Sequence, residues 1–335
     1  MKRAMVSNIR AKRRATCLSA LIALLLCTTG APSFAKVVKS ESSNLSKNTG
    51  VPLYEWQDDQ QAKPENIIVA VHGFAQSANS LTSIAQTFAS QGYLVVAPDL
   101  RGHGRWKESD STMEENLRAS IDDVAKILSH LHKRYKKANI YCIGESTGCG
   151  VVMTAVAKQP EGVRGVILCA VGSQPSFHNP AAMGSKFIKG MATLITQVDI
   201  TTYLQHYLSD DYRVATEMIN DPLAKKSQSA VQLLGTMNFI KEMPVRAAQL
   251  PASIPVLVMQ GTDDQIVLPE SSQPVFQAVK AQDKEFVPIA GSGHILVGTS
   301  FVKSNVLNKI EGWLLKHGGA NTFNGTNALN SASND

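Results

Sequence analysis

The chain has 335 residues, 44% hydrophobic and 18% charged, which supplies a sizeable core and excludes a wholly disordered chain. Its formal charge of +6 hints at nucleic acid, but residues 1–35 hold six Lys/Arg and no acid, leaving 27 basic and 27 acidic residues elsewhere. The body therefore has no electrostatic reason to bind nucleic acid.

In chain order, Lys2, Arg3, Arg10, Lys12, Arg13 and Arg14 precede an apolar run over 17–27, and Ser33-Phe34-Ala35 follows. A positive stretch, a short apolar core and a small-x-small site read as a signal peptide over 1–35, cut after Ala35. An uncleaved anchor is the alternative, although the apolar run is short for a span. Export would deliver the chain to a periplasm or the cell exterior. Three cysteines would remain, Cys142, Cys149 and Cys169. An odd number in apolar surroundings reads as buried free thiols, with one bridged pair left open.

Residues 36–50 are rich in Ser, Asn and Lys and read as a linker. Leu53, Tyr54 and Trp56 mark a short edge strand over 51–57. Apolar β-branched runs follow at 67–71, 94–97, 140–143, 163–171, 254–259 and 285–289. Helical stretches at 77–90, 112–137, 147–158, 273–281 and 302–317 separate or follow them. Continuous apolar strands alternating with helices predict an α/β fold with a doubly wound, mostly parallel sheet.

The alternation breaks between 171 and 254, where roughly 80 residues carry no strand signal. Phe187, Ile188, Met191, Leu194, Ile195 and Val198 are spaced like one helix face, so 173–252 reads as a helical cap inserted into the domain. Core segments at 51–172 and 253–317 flank it, and the Asn/Ser-rich tail 318–335 reads as disordered.

The run at 139–143 leads into Gly144-Glu145-Ser146-Thr147-Gly148 and then a helix. This is G-x-S-x-G in a strand–turn–helix setting, which raises a serine hydroxyl above the sheet. A serine becomes nucleophilic only when a base takes its proton. His294, after Gly291-Ser292-Gly293, is the base of choice, whereas His317 reads as a helix-end residue. The acid belongs after an earlier strand, and Gly261-Thr262-Asp263-Asp264 supplies it: Asp264, with Asp263 as alternative. Backbone N–H groups of Phe74, just after the run at 67–71, and of Thr147 are candidate donors to an oxyanion. His72 and the segment Asp99-Leu100-Arg101-Gly102-His103-Gly104 read as hydrogen-bonded scaffolding. His130 and His132 stand two apart on a helix, and no thiolate cluster or phosphate fingerprint occurs, so no metal or cofactor is expected.

These motifs resemble the α/β-hydrolase superfamily, in particular its monoacylglycerol lipase and lysophospholipase branch, with serine aminopeptidase-type relatives. The resemblance rests on His72-Gly73-Phe74, Ala97-Pro98-Asp99-Leu100-Arg101-Gly102-His103-Gly104, Gly144-Glu145-Ser146-Thr147-Gly148, Asn220-Asp221-Pro222-Leu223, Gly261-Thr262-Asp263-Asp264 and Gly293-His294. It implies a Ser146–Asp264–His294 triad, oxyanion donors at Phe74 and Thr147, and a cap over an acyl pocket. It further implies single-chain lipid esters as substrates and transient contact of the cap with a membrane surface. Glu145 stands where many relatives carry His, and is expected to tune the elbow or the leaving-group pocket. The sparse N-terminus implies that the first strand of the family sheet is missing or reduced.

Two other readings stay open. An aminopeptidase would need an anionic site for the substrate amine, and Asp210, Asp211 and Glu217 are its candidates. A lipid-binding protein without catalysis is the third.

Overall fold

A computed structural model describes residues 36–61, 63–106, 116–176 and 197–319. The signal-peptide reading of 1–35, the stripe of Phe187, Ile188, Met191, Leu194 and Ile195, and residues 320–335 of the expected tail lie outside them.

The main sheet begins with β1 (Val37–Ser40), β2 (Leu53–Asp58), β3 (Asn66–Val71), β4 (Tyr93–Pro98), β5 (Asn139–Glu145) and β6 (Val163–Cys169). In the cap, β7 (Gln197–Asp199) and β8 (Ser227–Ser229) pair antiparallel as a separate ribbon. The main sheet resumes with β9 (Val256–Gly261) and β10 (Lys284–Ile289). Its strand order is β1-β2-β4-β3-β5-β6-β9-β10; β2 runs antiparallel to both its neighbours, β1 and β4, and every other pair is parallel. This is the doubly wound, mostly parallel sheet that the apolar runs predict.

The helices are α1 (Asn44–Thr49), α2 (Thr82–Ser90), α3 (Leu117–Arg134), α4 (Thr147–Lys158), α5 (Thr201–Tyr207), α6 (Tyr212–Asn220), α7 (Ala230–Lys241), α8 (Met243–Ala247), α9 (Ser272–Ala278) and α10 (Ser304–Lys316). Side chains on a strand alternate between faces, and β3 shows the division. Ile67, Val69 and Val71 join α3 and α4 in one core, while Ile68 and Ala70 join α2 and α10 in the other. Both faces are therefore dry, and solvent-accessible polar groups are left to the strand ends. A third apolar cluster ties the cap to the core, with Ile200, Leu204, Leu208, Val214 and Met218 packing on Ala75 and Ile295. No helix among the described residues is long and apolar enough to cross a membrane.

Three expectations are corrected. Residues 36–50 are not an open linker, because they form β1 and α1. The segment at 51–57 is not an edge strand, because β1 pairs on its outer side, so the first strand is present. Lys39 of β1 reaches across to stack its ammonium 3.7 Å from the Tyr54 ring centre. The cap is not purely helical, because β7 and β8 cross it. Each missed strand is only three or four residues long, too short for periodicity to register it.

Candidate active site

Three parallel strands, β3, β5 and β6, end beside one another. Among the described residues, the non-glycine positions with positive φ are Ala75, Ser146 and Ala170, one shortly after each of these strand ends. Backbone held in this region costs about 1–3 kcal/mol per residue and clusters where function demands it. Ser146 has φ 53° and ψ −120°, the sharp turn that joins β5 to α4. The turn fits because its neighbours are glycines. A Cβ on Gly148 would collide with the carbonyl oxygens of Val71 and His72, and one on Gly144 would lie 2.7 Å from the Cys149 Cα.

The hydroxyl of Ser146 meets His294 Nε2 at 2.8 Å. On its far side, His294 Nδ1 lies 2.8 Å from Asp264 Oδ2. Asp264 is fixed in turn. Its Oδ1 accepts the N–H groups of Ile266 and Val267 at 2.9 and 3.0 Å, and its Oδ2 accepts Gln260 Nε2 at 2.8 Å. Asp263 is exposed, and its carboxylate accepts the neighbouring Thr262 hydroxyl at 2.8 Å. The structure thus brings Ser146, His294 and Asp264 into one line and leaves Asp263 outside it.

Burial of Asp264 disfavours its charge, yet the His294 ring and the amide donors hold its pKa below the ordinary aspartate value. Burial likewise disfavours a charged His294, but Asp264, by charge and hydrogen bond, and Glu145, by charge, raise its pKa above 6.5. The ring is therefore a stronger base than a free imidazole.

The candidate oxyanion donors sit where the strand ends converge. Thr147 is the first residue of α4 and fully buried. Phe74 lines the pocket next to Gly73, where a Cβ would lie 3.1 Å from that of Ser146. His72 is scaffolding: its Nε2 accepts the Leu100 N–H at 3.1 Å. Asp99 is too, since it accepts the N–H of Ala78 at 2.8 Å and Arg105 Nε at 3.1 Å. Asp221 of the Asn-Asp-Pro-Leu segment docks the cap by accepting the Ser77 hydroxyl at 3.1 Å. His317 caps α10 and pairs with Asp283 at 3.0 Å, far in role from the site. Cys142, Cys149 and Cys169 are free and buried. Among the described residues no group of three or more His, Cys, Asp or Glu is placed to hold a metal ion.

A pocket with room for about 90 Å³ of water-sized occupants opens on Ser146 and His294. Ile200, Tyr203, Leu204, Leu208, Leu233 and Ile240 of the cap give it an apolar wall. Apart from His294, none of its described lining residues is ionisable in the ordinary range, since partial burial pushes the Tyr203 phenol up and its hydroxyl donates to the Ser176 carbonyl at 2.7 Å. Asp210, Asp211 and Glu217 do not line it. They are engaged by Lys303, Arg213 and Thr299 at 2.8, 2.6 and 2.6 Å.

Two contacts escape the sequence. Gln76 bridges Gly73 and Gly298, accepting one N–H at 2.9 Å and donating to the other carbonyl at 2.9 Å. Glu145 does not face the pocket, so it tunes no leaving-group site; it binds the loop after His294 instead. No local pattern announces partners more than 150 residues away.

Comparison with known proteins places the chain. The family described as serine aminopeptidase, S33 matches residues 62–299. A monoacylglycerol lipase of Mycolicibacterium smegmatis is 23% identical over 266 residues, covering 78% of this chain and 91% of that protein. A monoglyceride lipase of Rattus norvegicus is 21% identical, covering 75% and 82%. The crystal structure of a Paleococcus ferrophilus monoacylglycerol lipase superposes with a TM-score of 0.61 at 20% identity, covering 80% of this chain and 99% of that one. With the sheet, the elbow and the inserted cap already in view, the chain belongs to the serine aminopeptidase S33 family of α/β-hydrolases.

Proposed function

We propose that the protein is a serine esterase that hydrolyses uncharged single-chain carboxylic esters of the monoacylglycerol kind. The observation that carries this reading is a neutral, apolar pocket ending at the hydrogen-bonded line of Ser146, His294 and Asp264. The names of the relatives, monoacylglycerol and monoglyceride lipases, favour the same substrate class.

In this reading Ser146 Oγ attacks the ester carbonyl while His294 Nε2 takes its proton. The N–H groups of Phe74 and Thr147 receive the oxyanion. Collapse breaks the bond to the alcohol, which leaves with the proton from His294. Water, deprotonated by the same imidazole, then attacks the acyl-enzyme and releases the acid and free Ser146. Asp264 stays ionised and stabilises the imidazolium that forms twice in each cycle. The charged N-terminus and the small-x-small site support export, with this chemistry occurring outside the cytoplasm.

An aminopeptidase is disfavoured because a substrate amine would enter a pocket whose described lining holds no carboxylate. A lysophospholipid would bring a charged headgroup to the same neutral walls. Monoacylglycerols, lysophosphatidylcholine and aminoacyl nitroanilides assayed in parallel test the reading. Monoacylglycerol kcat/KM is expected to exceed the other two by about 10²-fold, the effect of an unpaired charge entering an apolar site. Faster cleavage of the aminoacyl amides would contradict it.

A further inference from the structure

We propose that Glu145 is a positioning residue, whose buried carboxylate holds the loop bearing His294 in register with Ser146. Glu145 is the last residue of β5 and immediately precedes Ser146, with no exposed surface. Its Oε1 accepts the N–H groups of Leu296 and Val297 at 2.7 and 2.8 Å. Its Oε2 accepts that of Gly298 at 3.0 Å. Three successive amides, beginning two residues after His294, thus converge on one side chain. Hydrogen bonds to a carboxylate are shorter and roughly twice as strong as neutral ones.

The residue types agree with this role. A neutral histidine at this position offers one acceptor nitrogen, and a glutamine offers one oxygen beside two donors. Only a carboxylate receives three amides. Gln76 fastens the same loop at Gly298, and the cap holds its other end. There His294 N–H donates to the Leu208 carbonyl at 3.1 Å, and Gly293 N–H to Asp210 Oδ1 at 2.7 Å. Glu145 is the member of this set that is contiguous with the nucleophile, so it fixes base to serine directly.

The carboxylate also acts by charge. Asp264, after β9, and Glu145, ending β5, are the charged groups acting on His294. Around Glu145 itself, the titratable neighbours are His294, Cys149 and Cys169. Burial pushes the Glu145 pKa up, while the three amides and the His294 ring oppose that shift.

The test compares Glu145→Gln, Glu145→Asp and Ser146→Ala by kcat, KM and pH profile, with folding checked by circular dichroism. In the wild type the acidic limb of kcat/KM is expected above pH 6.5, because the base works only when neutral and its pKa is raised. Glu145→Gln should lower kcat by about 10²-fold with KM unchanged, the scale of a small misplacement of a reacting group. Losing the negative charge should also move its acidic limb to lower pH. Glu145→Asp, too short for all three amides, should lower kcat and keep the wild-type limb. A wild-type kcat or an unmoved limb in Glu145→Gln overturns the proposal. Failure of both Glu145 variants to fold would assign the residue to stability alone and overturns it as well. The role rests on the triad reading, and Ser146→Ala separates the two. Activity surviving in Ser146→Ala defeats the triad, whereas inactive Ser146→Ala beside an unimpaired Glu145→Gln defeats only the positioning role.

Discussion

Ser146→Ala is expected to lower kcat for a nitrophenyl acyl ester by on the order of 10⁶-fold in a protein that still folds. The side chain contributes one atom to the chemistry, and no other hydroxyl is bonded to the base: among the described residues, His294 Nε2 contacts only the Ser146 oxygen. The substitution removes that oxygen and leaves the strained turn with a small residue of similar backbone demand. Alanine already holds positive φ in this chain, at Ala75 and Ala170. Loss of activity should therefore come without loss of structure, which a thermal melt of the variant checks. Retention of more than a trace of turnover would remove Ser146 from the nucleophile's role.

Asp264→Asn is expected to lower kcat by about 10⁴-fold, while Asp263→Asn changes it by no more than about twofold. The two residues are adjacent, equal in chemistry and opposite in surroundings. Asp264 is buried, receives two backbone amides and the Gln260 side chain, and touches the imidazole. An asparagine there presents an amide in place of a charge. It neither fixes the tautomer that leaves Nε2 free to accept the serine proton nor stabilises the imidazolium. Asp263 points to solvent and is bonded to Thr262. Steady-state kinetics of the two variants decide between the neighbours, and an Asp263→Asn loss larger than that of Asp264→Asn would reverse the assignment.

The sheet was legible because its strands are buried on both faces and therefore read as unbroken apolar runs, as in Ile67–Val71. Expected and observed limits of these strands differ by no more than two residues. What escaped was short or polar. Val37–Ser40 is four residues held by the β2 ladder and by the Lys39 ammonium over Tyr54, and the Gln197–Asp199 and Ser227–Ser229 ribbon carries hardly any apolar signal. Within the site, Ser146 was legible because its turn needs glycines at fixed offsets. Asp264 and His294 followed because each ends a strand-to-loop transition. The role of Glu145 was not legible, since its partners are backbone amides, which have no sequence identity. The departure from histidine at this position was visible, but its meaning required the loop to be folded over it.

In the proposed function Ser146 is an activated nucleophile, made so by a buried imidazole and carboxylate. A fluorophosphonate probe tests it most directly, with the modified peptide located by mass spectrometry. A single covalent adduct is expected on Ser146, formed rapidly in the wild type and absent from Ser146→Ala and His294→Ala. An esterase-active protein that remains unlabelled, or that carries the adduct on another residue, would contradict it.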